Sequence, residues 1–339
     1  MSEPGVRALR ELITASWLSQ AIYVAARLGI ADLVVDGPRS VDELAAATDV
    51  NSDALYRVLR AVASAGLLAE SGPRRFSLAP LGHYLRTGYP DSVRHLAIWY
   101  GEEVFRSYAD ILQSVKDGRP VFERIHGKDM WAYLASHPSA NETFNLAMGT
   151  SRWQDQRPII EAYDFRGIKC LVDVGGGEGS MLAAVLHAHP EMTGVLVDLP
   201  NVVRGAQRHL ESAGVADRCR VVAGSVYDAL PGGGDAYVLS SVLHFMDDQQ
   251  VLVALGRVRE AIAARGRVLV IERVLPPDDS PHFGKLLDLT MLVLLGGRER
   301  TEAEFRALYE RSGFRLSRVV WLPFFVAGIG LGVVEGEPV

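Results

Sequence analysis

Leu171-Val172-Asp173-Val174-Gly175-Gly176-Gly177-Glu178-Gly179 sets a short apolar strand against a glycine-dense turn, and residues 180–188 behind it carry a helical pattern. Glycine tolerates positive φ and lets the backbone approach a ligand closely, so strand, turn and helix together form a ligand cradle. The dinucleotide fingerprint G-x-G-x-x-G needs glycine or alanine at position 180, where this chain has Ser180. Gly175, Gly177 and Gly179 therefore suit a cofactor lacking a pyrophosphate. Asp198 follows the next strand-like run, 23 positions after Gly175. A carboxylate at that point accepts hydrogen bonds from ribose hydroxyls, in nicotinamide and adenosylmethionine enzymes alike.

Working outward, strand-like runs at 170–174, 195–197, 220–222, 235–239 and 267–271 alternate with helical patterns at 180–188 and 248–264. The second of these helices is capped by Asp247 with Gln250 three positions on, and Thr301 with Glu304 opens another that ends near Gly313. Such alternation predicts an α/β, Rossmann-like fold around a mostly parallel sheet, with ligands beyond the carboxyl ends of its strands. Upstream the grammar differs. Leu9, Leu12, Ile13, Trp17, Val24 and Leu28 form an apolar helical stripe, and Ser40 with Glu43 fits a capping box. A helix from Asn51 or Ser52 carries Leu55, Val58, Leu59 and Val62 inward and stops at Gly66. Residues 67–69, 71–73 and 76–78 then read as strand, turn and strand. Helices followed by a hairpin describe a winged helix over 1–100. Residues 101–165 read as a helical, aromatic-rich linker that lines substrate, and 166–339 as the cofactor-binding domain.

Composition narrows the function classes. Hydrophobic residues at 48% and charged residues at 22% permit a sizeable core, and a net charge of −6 offers no general attraction to nucleic acid or anionic lipid. No run approaches 18 apolar residues, so no membrane span is expected, and the start resembles no signal peptide, which predicts a cytoplasmic protein. Cys170 and Cys219 read as small core residues. Apart from His244, the eight histidines show no convincing metal-ligand spacing, so no metal is expected.

Four ordered motifs carry a resemblance: Asp173–Gly179; Val197-Asp198-Leu199-Pro200-Asn201-Val202-Val203; Val242-Leu243-His244; and Gly296-Gly297-Arg298-Glu299-Arg300-Thr301. With them the chain resembles, over nearly its whole length, the S-adenosylmethionine-dependent small-molecule O-methyltransferases of the plant caffeate and bacterial polyketide type. The resemblance implies a seven-stranded methyltransferase sheet and a winged-helix domain that dimerises, hence a homodimer. It also implies adenosylmethionine as cofactor, held by Gly175, Gly177, Asp198, Leu199, Ser225, Val226 and Ser240; Arg152, just upstream of the sheet, is a further candidate for pairing its carboxylate. Ser225 stands where the family usually has an aspartate that binds the adenine amino group. His244 matches the family's general base, and Glu272 and Glu299 the two glutamates that flank it. The usual His-Asp-Trp is here His244-Phe245-Met246. Met148, Met291 and Leu295 are expected to line the acceptor pocket.

The chemistry fits that assignment. A phenol titrates near pH 10 and is mostly protonated at neutral pH. A histidine that takes its proton as the methyl group moves contributes roughly 10²–10⁴-fold, and a carboxylate on the other ring nitrogen fixes the tautomer. An arginine-rich composition, with only four lysines, favours a bacterial aromatic metabolite as acceptor. Other readings stand beside this one: an N-methyltransferase, a homologue that binds adenosylmethionine without methylating, and a winged-helix DNA-binding regulator.

Overall fold

The computed structural model describes residues 4–148, 156–322 and 330–339, and these fall into two compact units. The first comprises Met1–Asp110 with Arg124–Trp153, and the second Ile111–Glu123 with Gln154–Val339.

In the first unit, helix α1 (Pro4–Arg27) precedes α2 (Val41–Thr48) and α3 (Ser52–Ser64). Ser40 and Glu43 close the expected capping box on α2, and Asn51 accepts the Ala54 N–H at the start of α3. Strands β1 (Leu68–Gly72) and β2 (Arg75–Leu78) pair antiparallel, and the two-residue strand Arg39–Ser40 adds to β2. Leu44, Leu55, Leu59, Val62 and Phe76 share one core, so the helices and hairpin pack as the winged helix expected. The stripe on α1 divides. Val24 and Leu28 are half-buried, whereas Leu12 and Trp17 are each 74% exposed and Leu9 and Ile13 are also uncovered.

The second unit is built on β3 (Cys170–Val174), α4 (Ser180–Ala188), β4 (Thr193–Asp198), β5 (Cys219–Ala223), β6 (Ala236–Ser240), α5 (Asp248–Ala261) and β7 (Arg267–Leu275). Helices α6 (Phe283–Leu294) and α7 (Glu302–Arg311) and strands β8 (Phe314–Trp321) and β9 (Leu331–Pro338) complete it. The sheet order is β8-β9-β7-β6-β3-β4-β5. Strands β3 to β7 are mutually parallel, and β9 runs antiparallel to both its neighbours. All five strand runs read from the sequence are present. The β8–β9 hairpin is additional, and β7 continues past Ile271 to Leu275, which puts Glu272 inside a strand. Helix α5 stops at Ala261, short of 264, because Ile262 turns to an extended conformation.

A parallel sheet must bury both faces. Here Val172, Val174, Val270 and Phe305 belong to the core on one face, and Leu171, Leu182, Leu196 and Leu210 to that on the other. Each such side chain, fully buried, contributes about 1.5–3 kcal/mol. Strand β3 lies between β4 and β6, so the chain order reverses there and the crevice opens at the carboxyl ends of these strands. Among the described residues no helix is long and apolar enough to cross a membrane.

Candidate active site

The glycine turn leaves β3 at that reversal. Gly175 has φ +74° and donates its N–H to the Val197 carbonyl at 2.8 Å. A Cβ on Gly175 would stand 2.7 Å from Val242, so no larger residue fits. Gly177, at φ +63°, donates to Asp198 Oδ2 at 2.7 Å, and a Cβ there would meet nothing within 4 Å. The turn therefore presents bare backbone beside a carboxylate. Asp198 Oδ1 accepts the N–H of Leu199 at 2.7 Å. Burial raises the Asp198 carboxyl above its ordinary range, opposed by these two backbone N–H groups.

Ser225 and Val226 follow β5 and are half-buried, and Leu199 is exposed. Ser240 ends β6. Ser225 Oγ accepts the Tyr227 N–H at 3.2 Å, while Asp228 Oδ2 accepts the Ser225 N–H at 2.8 Å, so a carboxylate sits three positions after the serine. Gly175, Gly177, Asp198, Leu199, Ser225, Val226 and Ser240 thus fall along the carboxyl edge of β3, β4, β5 and β6. Bare glycine backbone and an acceptor carboxylate on one edge fit a nucleoside cofactor whose ribose donates hydrogen bonds. Arg152 lies outside the described residues.

One turn beyond β6, residues Leu243–Phe245 form a short 3₁₀ helix carrying His244. His244 Nδ1 is 2.9 Å from Glu299 Oε1, and both side chains are buried. Against a carboxylate, Nδ1 carries the proton, which leaves the lone pair on Nε2. That Nε2 has no hydrogen-bond partner among the described residues. Glu272 bonds the turn's backbone: its Oε1 accepts the N–H groups of Val242, Leu243 and His244 at 3.0, 2.9 and 3.2 Å. Burial pushes the Glu272 carboxyl up, the His244 ring pulls it down, and Glu299 adds to the rise. His244, Glu272 and Glu299 each have a ligand atom within 4.8 Å of the others, a spacing that also suits a cation. Glu272 Oε1 and His244 Nδ1 are committed to hydrogen bonds, whereas Glu272 Oε2 and Glu299 Oε2, like His244 Nε2, have no partner among the described residues.

Four residues of this neighbourhood escaped the sequence reading. Arg300 is buried to 1% exposure and bonds the backbone around His244. Asp288 Oδ1 accepts the Glu299 N–H at 2.7 Å. Asp173 is fully buried beneath the glycine turn, where burial and then Asp198 push its carboxyl up to about 7 against a pull from the Leu182 backbone. Asp228 is the fourth. Arg300 and Asp173 had a signal, since they sit within the last and first motifs; Asp288 and Asp228 had none. Met291 is buried on α6 and Leu295 half-buried just after it, while Met148 ends the helix Pro138–Met148 of the first unit and is exposed. A surface cleft of about 490 Å³ beside the last motif is lined by Asp248, Asp288, Gly297 and Arg298 but not by His244.

Comparison with known proteins turns on two family models: an O-methyltransferase domain matches residues 108–315, and an O-methyltransferase dimerisation domain matches residues 10–88. The chain belongs to the O-methyltransferase family. Among its relatives, the phenazine O-methyltransferase PhzM of Lysobacter antibioticus is 45% identical, over 98% of this chain and 96% of the relative. The 8-amino-8-demethylriboflavin N,N-dimethyltransferase of Streptomyces davaonensis is 38% identical, over 86% and 85%. One solved O-methyltransferase, NcsB1 from neocarzinostatin biosynthesis, is in complex with S-adenosylmethionine and 2-hydroxy-5-methyl naphthoic acid. It aligns with a TM-score of 0.86 at 32% identity, over 100% of both chains. Within this O-methyltransferase, the turn at Gly175, the acid at Asp198 and the His244–Glu299 pair occupy the edge where the fold binds ligands.

Proposed function

We propose that this methyltransferase moves the methyl group of S-adenosylmethionine to a phenolic hydroxyl of an aromatic bacterial metabolite, with His244 as general base. The observation that carries this reading is the buried His244 Nδ1–Glu299 contact of 2.9 Å, with Nε2 left without a partner among the described residues. Bound adenosylmethionine supplies a methyl group made electrophilic by its sulfonium. Gly175, Gly177, Asp198, Leu199, Ser225, Val226 and Ser240 hold it, with Arg152 on its carboxylate. Nε2 of His244 takes the acceptor's hydroxyl proton, and Glu299 supports the imidazolium that results. Glu272 fixes the turn from which the ring projects. Met148, Met291 and Leu295 contribute apolar surface to the acceptor site.

Residues 1–100 serve as the dimerisation domain, 101–165 as the acceptor-lining helices, and 166–339 as the cofactor and base domain. The exposed Leu9, Leu12, Ile13 and Trp17 of α1 then meet a second copy in a homodimer that works in the cytoplasm and binds neither nucleic acid nor membrane. A nitrogen acceptor is the second reading, favoured by the 38% identity to an N,N-dimethyltransferase.

The test is incubation with methyl-labelled adenosylmethionine and a panel of hydroxyphenazines, naphthoic acids, anthraquinones, flavonoids and aromatic amines, with a chelator present throughout. Label is expected on a phenolic oxygen, and His244→Ala should lower kcat at least ~10²-fold with S-adenosylhomocysteine affinity nearly unchanged. Label on nitrogen alone, or a fully active His244→Ala, refutes the reading.

A further inference from the structure

The turn carrying His244 is gripped from two sides. On its amide side, Glu272 accepts three successive N–H groups. On its carbonyl side stands Arg300, the largest fully buried side chain among the described residues. Nη1 of Arg300 donates to the carbonyls of Leu243 at 3.1 Å and Arg298 at 3.2 Å. Nη2 donates to the Met246 carbonyl at 2.9 Å and to Asp248 Oδ1 at 2.8 Å, and Nε reaches the same carboxylate oxygen at 3.1 Å. A guanidinium has five N–H donors, so none is left over. The two turn carbonyls it holds lie on either side of His244 and Phe245. The preceding residue, Glu299, is the one that bonds the His244 ring. One short segment thus orients the ring through Glu299 and the backbone beneath it through Arg300.

We propose that Arg300 is a positioning residue for methyl transfer: its planar fork sets where His244 Nε2 stands relative to the acceptor. This rests on His244 being the base. A lysine keeps the charge at the same place, but its single ammonium cannot span the Leu243 and Met246 carbonyls while holding Asp248. Displacement of a base by a fraction of an ångström is enough to slow proton transfer.

The experiment compares Arg300→Lys, Asp248→Ala and His244→Ala with the wild type in the intact chain. Rates are taken in single turnover with whichever panel phenol turns over fastest, S-adenosylhomocysteine affinity by calorimetry, and folding by thermal melts. The His244 ring is followed by nitrogen NMR of histidine-labelled protein without cofactor. Arg300→Lys is expected to lose at least ~10-fold in rate with S-adenosylhomocysteine affinity within about 3-fold. The chemical shifts of its His244 ring nitrogens should differ from wild type, as for an imidazole held in a changed hydrogen-bonding geometry. Asp248→Ala, which loosens the guanidinium from its exposed side, should show the same pattern at about 3-fold. It decides the matter if Arg300→Lys does not fold. A folded Arg300→Lys with wild-type rate and wild-type ring-nitrogen shifts, beside an inactive His244→Ala, overturns the proposal alone. So does a Lys variant whose rate and S-adenosylhomocysteine affinity fall together. An active His244→Ala overturns the assignment of the base, and this proposal with it.

Discussion

Replacing Glu299 by glutamine tests the centre of the mechanism, because it removes one charge and almost no volume. The Glu299 side chain is fully buried and stands 2.9 Å from His244 Nδ1. A hydrogen bond to a charged group contributes about 1.5–3 kcal/mol net, and at about 1.4 kcal/mol per tenfold this predicts a rate loss of roughly 10- to 150-fold. That range holds if the glutamine turns its carbonyl oxygen to Nδ1, because the tautomer then survives and only the support for imidazolium is lost. If the amide nitrogen faces Nδ1 instead, the proton is forced onto Nε2 and the base is blocked, a loss nearer ~10⁴-fold. Single-turnover rates with saturating methyl donor and a phenolic acceptor, measured from pH 6 to about 10, separate the two. Either loss should shrink toward the alkaline end, where a phenol ionises without help. S-adenosylhomocysteine affinity should stay near wild type, since Glu299 faces the imidazole. A folded Glu299→Gln within about 2-fold of wild type at every pH would refute the reasoning. The 2.9 Å contact would then be a packing feature.

Three other outcomes follow. Asp198→Ala should weaken S-adenosylhomocysteine binding by about 1–3 kcal/mol in calorimetry, the scale of a lost charge-assisted hydrogen bond; unchanged affinity would remove Asp198 from the site. Asp173 carries a carboxyl raised to about 7 from an ordinary 3.8, so the folded state binds the proton more tightly than the unfolded chain. Stability then falls as pH rises between those values, with a ceiling of roughly 4 kcal/mol at about 1.4 kcal/mol per pH unit. Asp173→Asn should accordingly melt several degrees above wild type at pH 8, with the gap narrowing as pH falls and closing only near pH 4, and a constant gap would disprove the linkage. If α1 forms the proposed dimer interface, Leu12→Asp and Trp17→Asp, at positions each 74% exposed, should shift light scattering from dimer toward monomer, each by about 1.5–3 kcal/mol of lost apolar burial.

Much of this fold was legible because strand, glycine turn and helix capping are local. The boxes at Ser40, Asp247 and Thr301 each rest on residues three apart and appear as read. The β8–β9 hairpin was not legible. Strand β9 carries Gly332, Gly336 and a buried Glu335, which in sequence suggest a loop. Their reasons are tertiary: a Cβ at Gly336 would stand 2.5 Å from the Tyr309 ring, and Glu335 accepts from Tyr163, 172 positions away, at 2.6 Å. The site divides along the same line. His244 and Glu299 were found through motifs, although 55 residues part them. The roles of Asp288 and Asp173 depend on contacts that no spacing announces.

Phe245 and Met246 replace the family's usual Asp-Trp after the histidine, and the geometry shows what the replacement leaves in place around the His244 ring. Met246 is buried in the core of the second unit, so its side chain packs rather than faces the reaction. What holds the turn at that point is the Met246 carbonyl, which Arg300 takes at 2.9 Å and which any residue would supply. The Phe245 ring lies 4.1 Å from the His244 ring at a 40° tilt, and so places an apolar face beside the imidazole. Gly297 closes the assembly from the other side. A Cβ there would fall 2.1 Å from the His244 carbonyl, so the segment leading to Glu299 can pass close to the turn only as glycine. The imidazole is therefore fixed through its own ring nitrogen and through backbone groups on both flanks. The side chain at 245 is left free to change the surface beside the imidazole without moving the ring. On the proposed mechanism, the apolar face beside the base and the hold on its ring therefore come from different atoms of the same turn.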